Sequence, residues 1–159
     1  MIVVELPDGK KVEINSPSTG KEIAEEYLPN RIRDIIAIRT PNDLWDLSRE
    51  IKSPSIISFV FRSDQDALEI LRHDAAHVMA EAVQELYPDT QVTIGPVIEN
   101  GFYYDFAREK PFSIDDLNEI ENKMHEIVKR DEIISREIWK RSDGIKYFDS
   151  KGENFKSII

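Results

Sequence analysis

One stretch constrains the fold of this 159-residue chain more than any other. The run from Ser63 to Tyr87 contains neither glycine nor proline, and apolar residues recur along it at three- and four-residue spacing. Such spacing is typical of an amphipathic helix. Ser63 and Asp66 resemble a capping box, in which two side chains bond free backbone N–H groups at a helix N-terminus. We therefore predict one long helix that ends before Pro88.

This predicted helix has three different faces. His73 and His77 lie four residues apart, so their side chains stand one above the other on the face opposite the predicted core. We expect a solvated edge formed by Asp74, Glu81 and Glu85. The stripe predicted to face the core consists of Leu68, Leu71, Ala75, Met79, Ala82 and Leu86.

The histidine pair leaves three interpretations open. The two imidazoles are surface residues, one wall of a cleft, or a pair of zinc ligands, because histidines at this spacing can share a metal. The glutamate of a metalloprotease H-E-x-x-H motif is absent, the chain has no cysteine, and the third histidine, His125, lies on another segment. We therefore expect no metal to be held by this chain alone.

The first 62 residues alternate between short apolar runs and turn residues. We predict strands at 2–6, 11–14, 35–39, 44–47 and 56–61, and a helix at about 20–28 with capping residues between Ser16 and Thr19. The last strand is nearly all apolar, which favours a central place in the sheet. The order β-β-α-β-β-β predicts a ubiquitin-like β-grasp domain over residues 1–62.

Residues 63–159 are predicted to form a second, α+β domain. Strand-like runs at 91–98 and 102–106 flank Asn100-Gly101, a strong hairpin signal, and Gly95 predicts a bulge or a close backbone approach. Ser113 and Asp116 resemble a capping box at the start of a second helix. Residues 134–140 alternate as in a strand, and a short helix is predicted to end at Gly152. The apolar last residues lead us to expect a truncated domain.

Charge and composition narrow the function further. The net charge is −10, with −1 in residues 1–62 and −9 in residues 63–159. Because residues 63–159 are strongly acidic, they are not expected to bind nucleic-acid phosphates broadly and without specificity. Neither a signal peptide nor a membrane-spanning stretch is evident. The lack of cysteine is compatible with a reducing, cytosolic setting.

Several motifs resemble, in the same order, those of bacterial threonyl-tRNA synthetases. They are Leu6-Pro7-Asp8-Gly9, Arg72-His73-x-x-Ala76-His77, Ile94-Gly95-Pro96-x-Ile98-x-Asn100-Gly101-Phe102-Tyr103-Tyr104-Asp105 and Gly152-Glu153-x-Phe155-Lys156. The resemblance covers the whole chain. It implies the N-terminal part of such an enzyme, with a TGS domain at 1–62 followed by most of an editing domain at 63–159.

The resemblance also implies a reaction and a site. In this family the region removes serine that was wrongly attached to the threonine tRNA. His73, His77 and Lys156 match positions with catalytic roles, and Tyr104, together with Gly95, matches the substrate-binding pocket. The family's second editing motif, an Asp, a Cys and a His, has no counterpart in these residues. We therefore expect poor deacylation by this chain alone.

The implied cofactors and partners belong mostly to the full-length enzyme. ATP, magnesium and a catalytic-domain zinc are expected only there, and none in this fragment. The expected partners are the acceptor end of tRNA(Thr), threonine or serine, and a second subunit bound through the absent catalytic domain, all in the cytoplasm and not at a membrane. Two alternatives remain: a noncatalytic β-grasp plus α+β binding module, and a freestanding trans-editing hydrolase.

Overall fold

The structure, a computed structural model, describes residues 1–15 and 17–158. The protein is of mixed α+β class, as predicted, and divides into two compact units, Met1–Ile70 and Leu71–Ile159. The division falls inside the long helix, whereas the predicted domain boundary lies between residues 62 and 63. None of the described helices is long and apolar enough to cross a bilayer.

The first unit is built around a five-stranded sheet. The elements in chain order are β1 (Ile2–Glu5), β2 (Lys11–Ile14), β3 (Ser18–Thr19), α1 (Gly20–Tyr27), a 3-10 helix (Pro29–Asp34), β4 (Ile35–Arg39), β5 (Leu44–Trp45), β6 (Glu50–Ile51) and β7 (Ser55–Phe61). The sheet order is β2-β1-β7-β4-β5, in which β1 and β7 run parallel. The central position of β7 is therefore confirmed.

Local sequence explains the helix of this unit. Thr19 is the N-cap of α1, and its side chain and that of Glu22 each bond the other's backbone N–H. Ile23 and Ala24 then face the sheet and are fully buried. Ser16, which was also predicted as a capping residue, lies outside the described residues. The sequence did not predict β3, β6 or the 3-10 helix, which are short and carry no clear periodicity.

The second unit combines one long helix with short hairpins and further helices. After α2 (Gln65–Leu86), which begins in the first unit, come β8 (Gln91–Val92), β9 (Val97–Ile98), β10 (Gly101–Phe102), β11 (Phe106–Ala107), α3 (Ile114–Arg130), α4 (Arg141–Ser150) and α5 (Asn154–Ile158). The predicted Ser113–Asp116 capping box is present at α3. The core of this unit lies where α2 meets α3, around Ala82, Val83, Ile120 and Ile127.

The predicted hairpin forms with shorter strands than expected. β9 pairs with β10, so that Glu99 and Asn100 form the turn, and β8 pairs with β11. The predicted strand 102–106 is therefore divided between two partners. Arg72 fixes the turn to α2, because its guanidinium donates to the backbone oxygen of Glu99 at 2.8 Å.

Three sequence predictions about α2 and the residues after it are wrong, in whole or in part. Residues 134–140 form no strand, because a strand needs a hydrogen-bonded partner and alternation alone supplies none. On α2, Leu68 and Leu71 are 43% and 48% exposed, and Asp66 forms an ion pair with Arg39 instead of the predicted box. The buried positions of α2 are Ala67, Ala76, Ala80, Ala82 and Val83.

Candidate functional site

The two predicted histidines of α2 contact each other directly. Their Nε2 atoms lie 3.0 Å apart, and the ring centroids are 4.6 Å apart with the planes at 70°. Both residues are exposed, so the face that carries them is accessible. One ring nitrogen donates and the other accepts, and the tautomer decides which. At most one of the two rings can be protonated without loss of this hydrogen bond.

The surroundings of His77 favour its neutral form. Partial burial lowers the pKa of this imidazole, and the neighbouring His73 and the Lys156 ammonium lower the pKa further, while the Asp74 carboxylate opposes them. A neutral imidazole can accept a proton from water or orient a substrate hydroxyl. His77 is therefore available as an acceptor near neutral pH.

A cavity of about 510 Å³ lies beside this histidine in the second unit. Three residues predicted for the site line it, namely His77, Tyr104 and Lys156. His73 is not among the lining residues and is connected to the cavity through its bond to His77. The cavity is also lined by Ala80 and Gln84, which flank the histidines on the predicted helix face, and by Glu81 and Glu85, which were predicted only as a solvated edge.

Gly95 gives Tyr104 its place. A Cβ atom on Gly95 would lie 2.1 Å from Cδ2 and 2.5 Å from Cε2 of the Tyr104 ring, so the ring rests directly on the glycine backbone. The ring also stacks on that of Phe106, with the two centroids 4.9 Å apart. Burial, and then the nearby charge of Glu153, raise the pKa of Tyr104, so its hydroxyl stays protonated at neutral pH. The predicted close backbone approach at Gly95 is present.

Lys156 reaches the cavity from α5. Its ammonium lies 3.7 Å from Oε1 of Glu153 and 5.7 Å from the centre of the Phe148 ring. Since His77 and Lys156 are 79 positions apart, spacing alone could not have joined them, and the expectation of a shared site came from the family resemblance. Glu153 belongs to the motif quoted for that resemblance, yet its role was not foreseen.

The metal-binding capacity of the site is small. Two imidazole nitrogens fall short of the three or four protein ligands that zinc sites use. Within residues 1–15 and 17–158, no group of three or more His, Asp or Glu side chains is arranged to hold a metal ion. His125 is exposed and does not line the cavity.

Together these groups make one cavity wall with an acceptor, a hydroxyl and a cation. Such a set can hold a water molecule against an electrophilic carbon and stabilise negative charge that develops on its oxygen. The acidic groups that share the lining, Glu81 and Glu85, are partly neutralised by Arg130, which bonds Glu85 with both terminal nitrogens. The arrangement suits hydrolysis of a small ester or amide.

The chain is similar throughout its length to threonine–tRNA ligases. It is 52% identical to the Paramagnetospirillum magneticum protein, 51% to that of Granulibacter bethesdensis and 51% to that of Rhodospirillum rubrum. Each match includes 100% of this chain and 25% of the relative. No family model matches the chain. Along its entire length, this chain is about half identical to threonine–tRNA ligases, and it spans about a quarter of the length of the relatives it matches.

Proposed function

We propose that this chain acts as the N-terminal part of a threonyl-tRNA synthetase and contributes to the hydrolysis of mischarged Ser-tRNA(Thr). The observation that carries the proposal is the meeting of His77, Tyr104 and Lys156 at one cavity, in a chain about half identical to threonine–tRNA ligases. In this proposal the rest of the relatives' length supplies the ATP-dependent ligase, its metal ions and the subunit contact in the cytoplasm.

The proposed domains follow the two compact units. For the first unit we propose a TGS domain of the ubiquitin-like β-grasp type, supported by the mixed sheet, its parallel central pair β1 and β7, and the helix α1 packed against it. For the second unit we propose an incomplete editing domain. The support there is the cavity, because the first unit offers no comparable group of chemically reactive side chains among its described residues.

The need for such a site is physical. A pocket that accepts threonine cannot strongly reject serine, because one missing methyl group is worth only about 1–3 kcal/mol. A second, hydrolytic site supplies the remaining discrimination. Its substrate is an aminoacyl ester at the end of tRNA(Thr), so the reaction is attack of water on the ester carbon and release of the tRNA ribose hydroxyl.

Each group has a proposed role in that attack. His77, which is held neutral, positions the ester or the terminal ribose, and His73 orients the attacking water through the shared imidazole hydrogen bond. Lys156 stabilises the negative charge that develops on the ester oxygen. Tyr104, whose hydroxyl remains protonated, donates to the substrate. Gly95 keeps the space that this ring occupies.

A chimera tests the proposal without requiring activity from the isolated chain. Residues 1–159 replace the matching quarter of the Rhodospirillum rubrum ligase, and hydrolysis of Ser-tRNA(Thr) is measured under single-turnover conditions. We expect the chimera to hydrolyse Ser-tRNA(Thr). His73→Ala and Lys156→Met should each slow this hydrolysis by about 10²-fold or more, as expected for loss of an acid–base or charge-stabilising group.

Two controls make the result specific. Lys151→Met removes a lysine of the same tail, 5.8 Å from the Tyr147 ring, that does not line the cavity, and it should leave hydrolysis unchanged. Attachment of threonine by the chimera should survive all three substitutions. A chimera that attaches threonine but leaves Ser-tRNA(Thr) intact would refute the proposed function.

A further inference from the structure

The segment that carries Lys156 is fastened to the rest of the second unit by two glutamines. Gln91 bonds it twice, because its Nε2 donates to the backbone oxygen of Gly152 at 2.8 Å and its Oε1 accepts from the backbone N–H of Asn154 at 3.2 Å. Gln84 donates to Oε1 of Glu153. Gln91 bonds residues on either side of the start of α5 and Gln84 bonds the residue just before it, so together they fix the position of that short helix.

Glu153 lies at the centre of this contact. Its side chain is only 17% exposed. One carboxylate oxygen accepts from Gln84 and faces the Lys156 ammonium at 3.7 Å, while Oε2 is buried without a hydrogen-bond partner among the described residues. A mostly buried carboxylate is costly unless a cation offsets its charge. Lys156 is the cation that the structure provides.

We propose that Glu153 is a positioning residue that holds the Lys156 ammonium at the cavity. Gln84 fixes the Glu153 carboxylate, and Gln91 fixes the backbone on either side of Glu153. The proposal deepens the function proposed above and rests on it for the catalytic role of Lys156. Glu153 itself touches no substrate in this scheme. It acts through the lysine alone.

The physical reason lies in the lysine side chain. An ammonium on a flexible four-carbon stem adopts many rotamers, and a charge placed 1–2 Å away from the reacting oxygen loses much of its effect. The acids Glu81 and Glu85 also line the cavity and compete for the same cation. Arg130 already pairs with both Glu85 and Glu81, whereas the Glu153 carboxylate lies 3.7 Å from the Lys156 ammonium.

The first experiment measures the chemical reactivity of the Lys156 amine on the 159-residue chain, because an ammonium held by Glu153 reacts more slowly. Glu153→Gln keeps the size of the side chain and an oxygen for Gln84, but removes the charge. Competitive acetylation followed by mass spectrometry then compares Lys156 with Lys151 in the same molecule. We expect the relative reactivity of Lys156 to rise about two- to fivefold, the range for loss of a partly exposed ion pair.

A second variant tests the fastening of the segment. Gln91→Leu should speed exchange of the Asn154 amide hydrogen and also raise the reactivity of Lys156. The matched control is Asp149→Asn, which removes an exposed carboxylate of the preceding helix and should change neither readout. Acetylation of Lys156 at the wild-type rate in Glu153→Gln would overturn the proposal.

The third measurement connects positioning to the reaction. In the chimera, Glu153→Gln should lower kcat for Ser-tRNA(Thr) hydrolysis with little change in KM, because an interaction formed in the transition state is weakened. An unchanged kcat with a reactive Lys156 would also count against the proposal. If the unsubstituted chimera does not hydrolyse Ser-tRNA(Thr), the proposed function fails, whereas the acetylation result still decides whether Glu153 holds Lys156.

Discussion

At the scale of single residues, the cavity depends on a few charges acting on one another. Partial burial lowers the pKa of His77, the nearby His73 and Lys156 lower it further, and Asp74 opposes them. The motif H-x-x-x-H predicted the shared face of the two imidazoles, because helix geometry places positions four apart together. The influence of Lys156 belongs to the tertiary fold and has no local sequence signal.

The titration of His77 provides a direct check of this geometry. We expect its pKa to lie below the ordinary 6.5, so the ring is neutral at pH 7 and becomes charged only in mildly acidic solution. Lys156→Met removes a repelling positive charge and should raise this pKa. The imidazole proton resonances followed by NMR against pH report it, with Lys151→Met as the control. If Lys156→Met left the pKa of His77 unchanged, the Lys156 ammonium would not lie near that imidazole.

Gly95→Ala tests the contact with Tyr104. The new methyl group would overlap the ring at 2.1 Å, so the ring or the backbone must move. We expect a loss of about 1–3 kcal/mol in the free energy of unfolding, as for overpacking of a close contact, measured by urea denaturation. Gly144→Ala, where a Cβ meets nothing within 4 Å, should not show this loss. The ring resonances of Tyr104 should shift only in Gly95→Ala.

At the scale of elements, the capping box predicted at Ser113 and Asp116 is present, whereas the one predicted at Ser63 and Asp66 is not. The Ser113–Asp116 box located the start of α3 within one residue, because the side-chain geometry of a cap is local. Periodicity identified only part of the buried face of α2, since that helix has apolar residues on more than one face. Ala82 is buried and Met79 and Leu86 pack against the core, as predicted, whereas Leu68 and Leu71 are exposed. The alternation of residues 134–140 failed for another reason, the lack of a pairing strand.

Ser113→Ala measures how much the cap contributes to α3. The Ser113 side chain accepts from the backbone N–H of Asp116, and the Asp116 carboxylate accepts from the Ser113 backbone N–H at 2.6 Å. Loss of the serine oxygen should lower the free energy of unfolding by about 1 kcal/mol. Ser135→Ala, in a segment without regular structure, should have almost no effect. Equal effects of the two substitutions in urea denaturation would contradict the prediction.

At the scale of the whole molecule, the α+β class and the similarity to threonine–tRNA ligases followed from the sequence, while the composition of the proposed site followed only in part. His73, His77, Tyr104 and Lys156 were predicted. Gln84, Gln91 and Glu153 were not, because their importance arises from contacts between positions more than 60 apart. Residues of this kind have no signature in a single sequence.

The activity of the isolated chain is a prediction at this scale. The resemblance implies a further Asp, Cys and His motif, which has no counterpart in these residues, so in the proposed function the rest of the ligase supplies part of the hydrolytic pocket. We expect the 159-residue chain to hydrolyse Ser-tRNA(Thr) at least about 10²-fold more slowly than the chimera, which regains those groups. A single-turnover assay at matched concentrations gives the comparison. Equal rates would mean that the present cavity is sufficient.

The positions of the two tryptophans have a practical consequence for spectroscopy. Trp45 lies in the first compact unit, with the Arg49 guanidinium 3.6 Å from its ring centre, and Trp139 lies in the second, against the edge of Tyr147. Replacing either indole with phenylalanine leaves a single tryptophan, whose emission reports on one unit only. Emission spectra of the two variants during heating would then show whether both units unfold at the same temperature or one unfolds at a higher temperature.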